Sequence, residues 1–216
     1  MTSTIGIIGS GNIGTALARA FTTAGHAVVI ANSRGPESLA PLVAELGELA
    51  TAGTVEQAAL AGELVVVTIP LGAVSSIPSR LLDGRIVIDT NNYYPARDGQ
   101  IAELDDESLT TAEYVARHFA GATVVKAFNH IPAREIAGHA QAAGTPGRRA
   151  LMVYGEDAVA VERVSALIEA IGFDAVTGGG LAESWRIQRD TPGYGPRFTA
   201  AELAITLAEA RRYRDL

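Results

Sequence analysis

Short, uninterrupted apolar runs alternate along the chain with segments whose apolar positions recur at helical spacing. Residues 5–9 read as a buried strand, 12–24 as a helix closed by Gly25, and 27–31 as a second strand. Residues 36–46 read as a helix with Pro36 in its first turn and Gly47 behind it. A short strand at 49–51 and a short helix at 54–61, capped by Thr54, come next. The run 64–69 is dominated by Val and stopped by Pro70. A helix around 73–82 follows, kinked or interrupted at Pro78. Then come a strand at 85–89, a helix at 107–120 and a strand at 123–128. Residues 150–154, 157–170 and 172–176 give one more strand–helix–strand, and 199–212 a last helix with Thr199 as its N-cap. Segments 91–106 and 138–149 read as long loops, 178–180 as a hinge-like glycine triplet and 183–198 as irregular.

Strands alternating with helices imply crossover units and a parallel sheet. Continuous rather than alternating apolar runs fit strands covered on both faces. The pattern therefore predicts an α/β, doubly wound, mainly parallel sheet. No linker or repeat divides the chain, so the expectation is a single domain over 1–216.

Composition narrows the classes. The chain has 216 residues, 48% hydrophobic and 19% charged, which argues against disorder. It has no cysteine, so disulfide scaffolds and thiolate metal sites are excluded. A formal charge of −7 suits neither nucleic acid nor an anionic membrane as partner. No apolar run reaches the roughly 18 residues of a membrane helix, and no positive leader opens the sequence. The expected location is the cytoplasm. Sixteen of the basic residues are Arg and one is Lys, at position 126, a bias that codon usage explains.

Gly9-Ser10-Gly11-Asn12-Ile13-Gly14 matches G-x-G-x-x-G, ending one predicted strand and opening a helix, with a second strand behind it. In such a loop Gly9 permits the tight turn, Gly11 lets a pyrophosphate approach the backbone, and Gly14 lets the helix pack on the strand. Free N–H groups and the helix dipole attract the phosphates. The second strand ends Ala31-Asn32-Ser33-Arg34, without the carboxylate that bonds a ribose 2′-hydroxyl. Ser33 and the Arg34 guanidinium suit a 2′-phosphate, which favours NADP(H) over NAD.

In an open parallel sheet the ligand lies beyond the carboxyl ends of the strands. There the sequence places Thr68-Ile69-Pro70, an apolar platform for ribose and nicotinamide, then Asn91 and Asn92, then Ala127, Asn129 and His130. Their amides could hold a carboxamide or a substrate without putting a charge beside a hydride. Tyr93 and Tyr94 serve either this site or loop packing. His130 is the best-placed candidate acid or relay, or else a packing residue. His26 reads as structural, His118 lies on a helix and His139 in a loop, and no spacing recommends a metal site.

With these residues in hand, the sequence resembles the NADPH-dependent reductases of coenzyme F420 and the related reductase domains of STEAP metalloreductases. The resemblance runs through 7–14, Asn32-Ser33-Arg34, 67–70, Ile88-Asp89-Thr90-Asn91-Asn92 and Val125-Lys126-Ala127-Phe128-Asn129. It implies a Rossmann-type core over 1–130 and a short C-terminal extension over 131–216 that completes the sheet and the substrate pocket. It also implies a homodimer and hydride transfer between NADP(H) and a second ring system, coenzyme F420 foremost. The resemblance weakens at His130, where family members often have Thr, and around Trp185 and 191–197. Those aromatic groups either wall the second pocket or pack the extension down. Three readings follow. One is an F420-linked NADP oxidoreductase. A second is an NADPH-dependent reductase of a flavin, ferric chelate or small imine or ketone. The third is a binding protein that senses NADP(H) without turnover.

Overall fold

The computed structural model describes residues 4–212. Eight strands form one sheet: β1 (Thr4–Ile8), β2 (Ala27–Ala31), β3 (Ala50–Ala52), β4 (Leu64–Val67), β5 (Ile86–Asp89), β6 (Thr123–Lys126), β7 (Ala150–Gly155) and β8 (Asp174–Thr177). Their spatial order is β3-β2-β1-β4-β5-β6-β7-β8. β1 to β6 are mutually parallel, β7 runs antiparallel to β6, and β8 is again parallel to β7. The order reverses between β1 and β4, which leaves a crevice at their carboxyl ends. This is the doubly wound, Rossmann-type α/β architecture expected from the apolar pattern.

The helices are α1 (Asn12–Thr23), α2 (Ala40–Leu46), α3 (Val55–Leu60), α4 (Pro95–Asp98), α5 (Ala102–Asp105), α6 (Thr111–His118), α7 (Ala133–Gly138), α8 (Ala158–Ala170) and α9 (Ala200–Glu209). Alternate residues of each strand feed opposite faces. Ile5, Ile7, Val66 and Ile88 pack beneath Leu17 and Phe21 of α1 and Val164 and Ile168 of α8. Ile8, Val65, Val67 and Val87 pack against Ala58 and Ala59 of α3 and Ala112 and Val115 of α6. Leu203 and Leu207 of α9 close a third cluster over Met152 and Tyr154. Both faces are covered, which is why the strands read as continuous apolar runs.

Several elements differ from the sequence pattern. The helix expected at 36–46 is a 3-10 turn, Pro36–Leu39, followed by α2; Pro41 at the start of α2 has no N–H to continue the first segment. The helix expected at 73–82 is a 3-10 segment, Leu71–Ser76, because Ile77 before Pro78 is extended. The helix expected from 107 starts at Thr111. Asp106 Oδ1 accepts the Ser108 N–H at 2.9 Å, Glu107 is left-handed at φ 56°, and Thr110 caps the helix proper. The loop 91–106 contains the single turns α4 and α5, and the irregular 183–198 begins inside a 3-10 segment, Leu181–Ile187. The last helix stops at Glu209, since Ala210 is extended.

Candidate active site

The glycine loop joins β1 to α1 at the reversal of strand order. Gly9 has φ 118°, and a Cβ there would overlap the Thr68 carbonyl at the end of β4. A Cβ on Gly14 would overlap the Gly9 carbonyl. These two glycines are required by packing. Gly11 is different: a Cβ there would meet nothing within 4 Å. Gly11 is also the N-cap of α1, with no side-chain cap and no acid in the first turn. Beside half-buried Ser10 and Ile13 and exposed Asn12, the helix thus offers uncapped N–H groups under open space. That cradle fits a pyrophosphate.

At the end of β2, Asn32 organises the adjoining turn. Its Nδ2 donates to Ser10 Oγ and to Ser38 Oγ, both at 3.0 Å, and its Oδ1 accepts the Arg34 N–H at 2.8 Å. The turn is therefore tied to the glycine loop. Ser33 and Arg34 are exposed, and the Arg34 guanidinium makes no hydrogen bond or ion pair among the described residues. Its permanent charge beside the anion cradle fits a 2′-phosphate. Ser38 joins this cluster, and only the three-dimensional turn reveals it.

Thr68 and Ile69 are half-buried and Pro70 is exposed, a shelf at the end of β4. Beyond β5 and β6 lies a buried polar floor. Lys126 is fully buried and donates to Asp89 Oδ2 at 3.0 Å, to Thr111 Oγ1 at 3.1 Å and to the Asn91 carbonyl. Asp89 Oδ1 accepts the Asn91 N–H at 2.8 Å. Burial pulls the Lys126 amine below its ordinary value, and the Asp89 carboxylate pulls it back up. Lys126 therefore sews β5, β6 and the start of α6 together beneath the crevice, a role its rarity in the sequence only hinted at. Asn91 is 3% exposed, and neither Nδ2 nor Oδ1 has a partner among the described residues. An orphaned amide of this kind matches a ligand carboxamide, which presents the complementary donor and acceptor. Ala127 is fully buried next to it.

Asn92 and Asn129 form a reciprocal pair. Asn92 Nδ2 donates to the Asn129 carbonyl at 2.7 Å, and Asn129 Nδ2 donates to Asn92 Oδ1 at 3.2 Å and to the Ile187 carbonyl at 2.7 Å. Asn129 is thus spent on holding the C-terminal extension. His130 is 3% exposed, its Nε2 accepts the Met152 N–H at 3.1 Å, and its Nδ1 faces Asn129 Oδ1 at 3.4 Å. Burial, reinforced by the Arg149 and Lys126 charges, pushes its pKa down to about 3, so the ring stays neutral. The geometry is that of a clasp between the end of β6 and β7, away from any crevice surface.

Asn92 and Trp185 meet in a cavity of about 380 Å³ between the loop after β5 and the extension, together with Tyr93, Thr111, Gln188 and Arg189. Gln188 Oε1 accepts the Thr111 N–H at 2.8 Å, fixing the wall to α6. The Trp185 ring is flanked by the guanidinium groups of Arg186 at 4.4 Å and Arg212 at 5.2 Å. The structure thus brings Asn92 and Trp185 together and leaves Asn129 and His130 beneath them. Among the described residues, no cluster of His, Asp and Glu could hold a metal, and no helix is long and apolar enough to cross a membrane.

Strand order and glycine loop together define a Rossmann-type domain with an uncapped helix start at its switch point. Residues 4–93 match the model of the family described as NADP oxidoreductase, coenzyme F420-dependent. Over those residues the chain is similar to members of this family. It is 31% identical over 186 residues to the metalloreductase STEAP3 of Rattus norvegicus, covering 85% of this chain and spanning only 35% of STEAP3. Among solved structures, the protein SMa0349 of Sinorhizobium meliloti superposes with a TM-score of 0.79 at 34% identity, over 92% of this chain and 96% of that one. A proposed F420-dependent NADP reductase of Arthrobacter sp. FB24 shares the fold, with a TM-score of 0.68 at 24% identity over 84% and 86% of the two chains.

Proposed function

We propose that the protein is an NADP(H)-dependent reductase that exchanges a hydride between the dinucleotide and a second planar ring compound, coenzyme F420 first among them. The observation that carries this reading is the open, uncapped start of α1 beside the unpaired Arg34. Gly9, Ser10, Gly11, Asn12 and Ile13 would hold the pyrophosphate, and Asn32 would fix the turn from which Ser33, Arg34 and Ser38 meet the 2′-phosphate. Thr68, Ile69 and Pro70 would seat the ribose, and Asn91 would fix the carboxamide. NADPH, when bound, supplies the hydride. The cavity around Asn92 and Trp185 would take the second ring and exclude water from its reduced face.

Fluorescence titration of wild type and Arg34→Glu with NADPH and NADH tests the cofactor reading. The variant should lose NADPH affinity roughly 10- to 100-fold, the equivalent of charge-assisted hydrogen bonds, while NADH affinity changes little. Equal losses for both dinucleotides would sink it. Stopped-flow absorbance with NADP⁺ and reduced F420 tests the acceptor; no NADPH formation would remove F420 from the assignment.

A further inference from the structure

Among the hydroxyl and amide side chains that line the 380 Å³ cavity, most are spent on the protein itself. Tyr93 donates to Asp105 Oδ1 at 2.7 Å, Thr191 donates to the Gln188 carbonyl at 2.7 Å, and Asn92 pairs with Asn129. Gln188 is different. Its Oε1 accepts twice from Thr111, from the N–H at 2.8 Å and from the hydroxyl at 3.3 Å. A main-chain N–H can be met only by the oxygen of an amide, so this bond decides which end of the Gln188 side chain is committed. The Nε2 end has no partner among the described residues, yet it is not sealed from solvent. Two N–H donors of fixed orientation are therefore left unspent on a side chain that lines the cavity.

Behind that amide stands a chain of bonds. Thr111 opens α6, and its N–H is one of those that no carbonyl of the helix can meet. Its hydroxyl in turn accepts from the fully buried Lys126 ammonium at 3.1 Å. The bonds run in one direction: Lys126 N–H to the Thr111 oxygen, then Thr111 O–H to the Gln188 oxygen. Each bond polarises the next, so the buried cation draws electron density from the amide and makes its N–H groups stronger donors. Lys126 also donates to the Asn91 carbonyl. The chain thus starts beneath the crevice and ends in the cavity.

We propose that the Gln188 amide is the donor that binds the acceptor in this cavity, holding the oxygen or nitrogen on which negative charge gathers when a conjugated carbonyl or imine takes up a hydride. The inference rests on the NADP(H) reading above. The hydride brings both electrons to one end of the acceptor's conjugated system and forms a new C–H or N–H bond there. The displaced π pair moves to the oxygen or nitrogen at the other end. Gln188 has no proton to give, so water supplies the one that neutralises this charge. A donor fixed in place beforehand needs no reorganisation and binds more strongly as charge develops, so it lowers the barrier rather than only tightening the complex.

The test uses Gln188→Glu, whose carboxylate still accepts from Thr111 but cannot donate. NADPH titration should stay within about twofold of wild type, because Gln188 lies on the wall of the second pocket. Oxidised F420, and FMN in parallel, are then titrated into NADP⁺-saturated protein. Wild type should shift the visible band of the bound ring through the donated bond; the variant should bind up to about tenfold more weakly and without that shift. At pH 8 its single-turnover reduction of the ring by NADPH should fall about 100-fold. Lowering the pH to 6 should restore rate by up to about tenfold per unit, as the carboxyl takes up a proton and becomes a donor, while wild type stays level. Thr111→Val cuts the link to Lys126, leaves the Gln188 amide in place and should cost about tenfold in rate. If Gln188→Glu does not fold, an unchanged rate in Thr111→Val is the result that overturns the proposal. A folded Gln188→Glu with wild-type rate and band shift at pH 8 overturns it directly. So does one that weakens NADPH as much as it slows reduction, since Gln188 would then be only a wall of the fold. So does wild type that binds NADPH but neither binds nor reduces either probe. Failure of wild type to bind NADPH overturns the parent reading instead.

Discussion

Lys126 holds a positive charge at zero exposure because all three of its protons have acceptors and one acceptor is a carboxylate. Lys126→Met would leave Asp89 charged and buried without its partner, a loss of about 3–5 kcal/mol that urea unfolding should register. His130 makes the opposite choice and stays neutral. Its folded pKa of about 3 lies below the ordinary 6.5, so the unfolded chain binds a proton that the folded one refuses. Its stability contribution is complete above pH 6.5 and is lost as pH falls toward 3, at about 1.4 kcal/mol per unit. His130→Gln, which can still accept the Met152 N–H, should flatten that acid slope; an unchanged slope would show the imidazole is not its source. At this scale the glycine loop was legible because its residue types answer conformational demands. Lys126 stood out in the sequence by rarity alone. The bonds of Ser38 to Asn32 and of Gln188 to Thr111 span 6 and 77 residues, so no local pattern announces them.

Among the elements, the buried strands were the most legible, since each is a run of apolar residues bounded by glycine, proline or polar breaks. Helix starts were legible where a capping box exists and misplaced where a turn precedes it. α6 is the clearest instance. Thr110 accepts the Glu113 N–H at 3.1 Å, Glu113 Oε2 accepts the Thr110 N–H at 2.8 Å, and Thr110 Oγ1 donates to the Leu181 carbonyl at 3.0 Å. The acidic residues just upstream look equally helical in composition but are diverted by the Asx turn at Asp106. Thr110→Ala should lower stability by about 1–2 kcal/mol, near the top of the N-cap range, because the residue is buried and also ties α6 to the extension. A change under about 0.3 kcal/mol would mean the Leu181 bond contributes nothing. The antiparallel β7 was not legible: only α7 and the turns after it separate β6 from β7, and that connection makes no parallel crossover.

For the molecule as a whole, a net charge of −7 surrounds one local exception, the cationic turn beside α1. If NADP⁺ binds there, it stabilises the folded state by mass action, about 2.7 kcal/mol at 100 times its Kd. For a chain of this size that is a thermal shift of roughly 5–10 °C, readable by calorimetry, and Arg34→Glu should abolish most of it. The lysine buried at the foot of the crevice has a further consequence. Acylating reagents such as succinimidyl esters find no lysine amine on the folded surface, because the single ε-amine is sealed inside. Acylation of Lys126 therefore proceeds only as fast as the sheet ends part, and its rate is a chemical clock for opening of the β5–β6 seam.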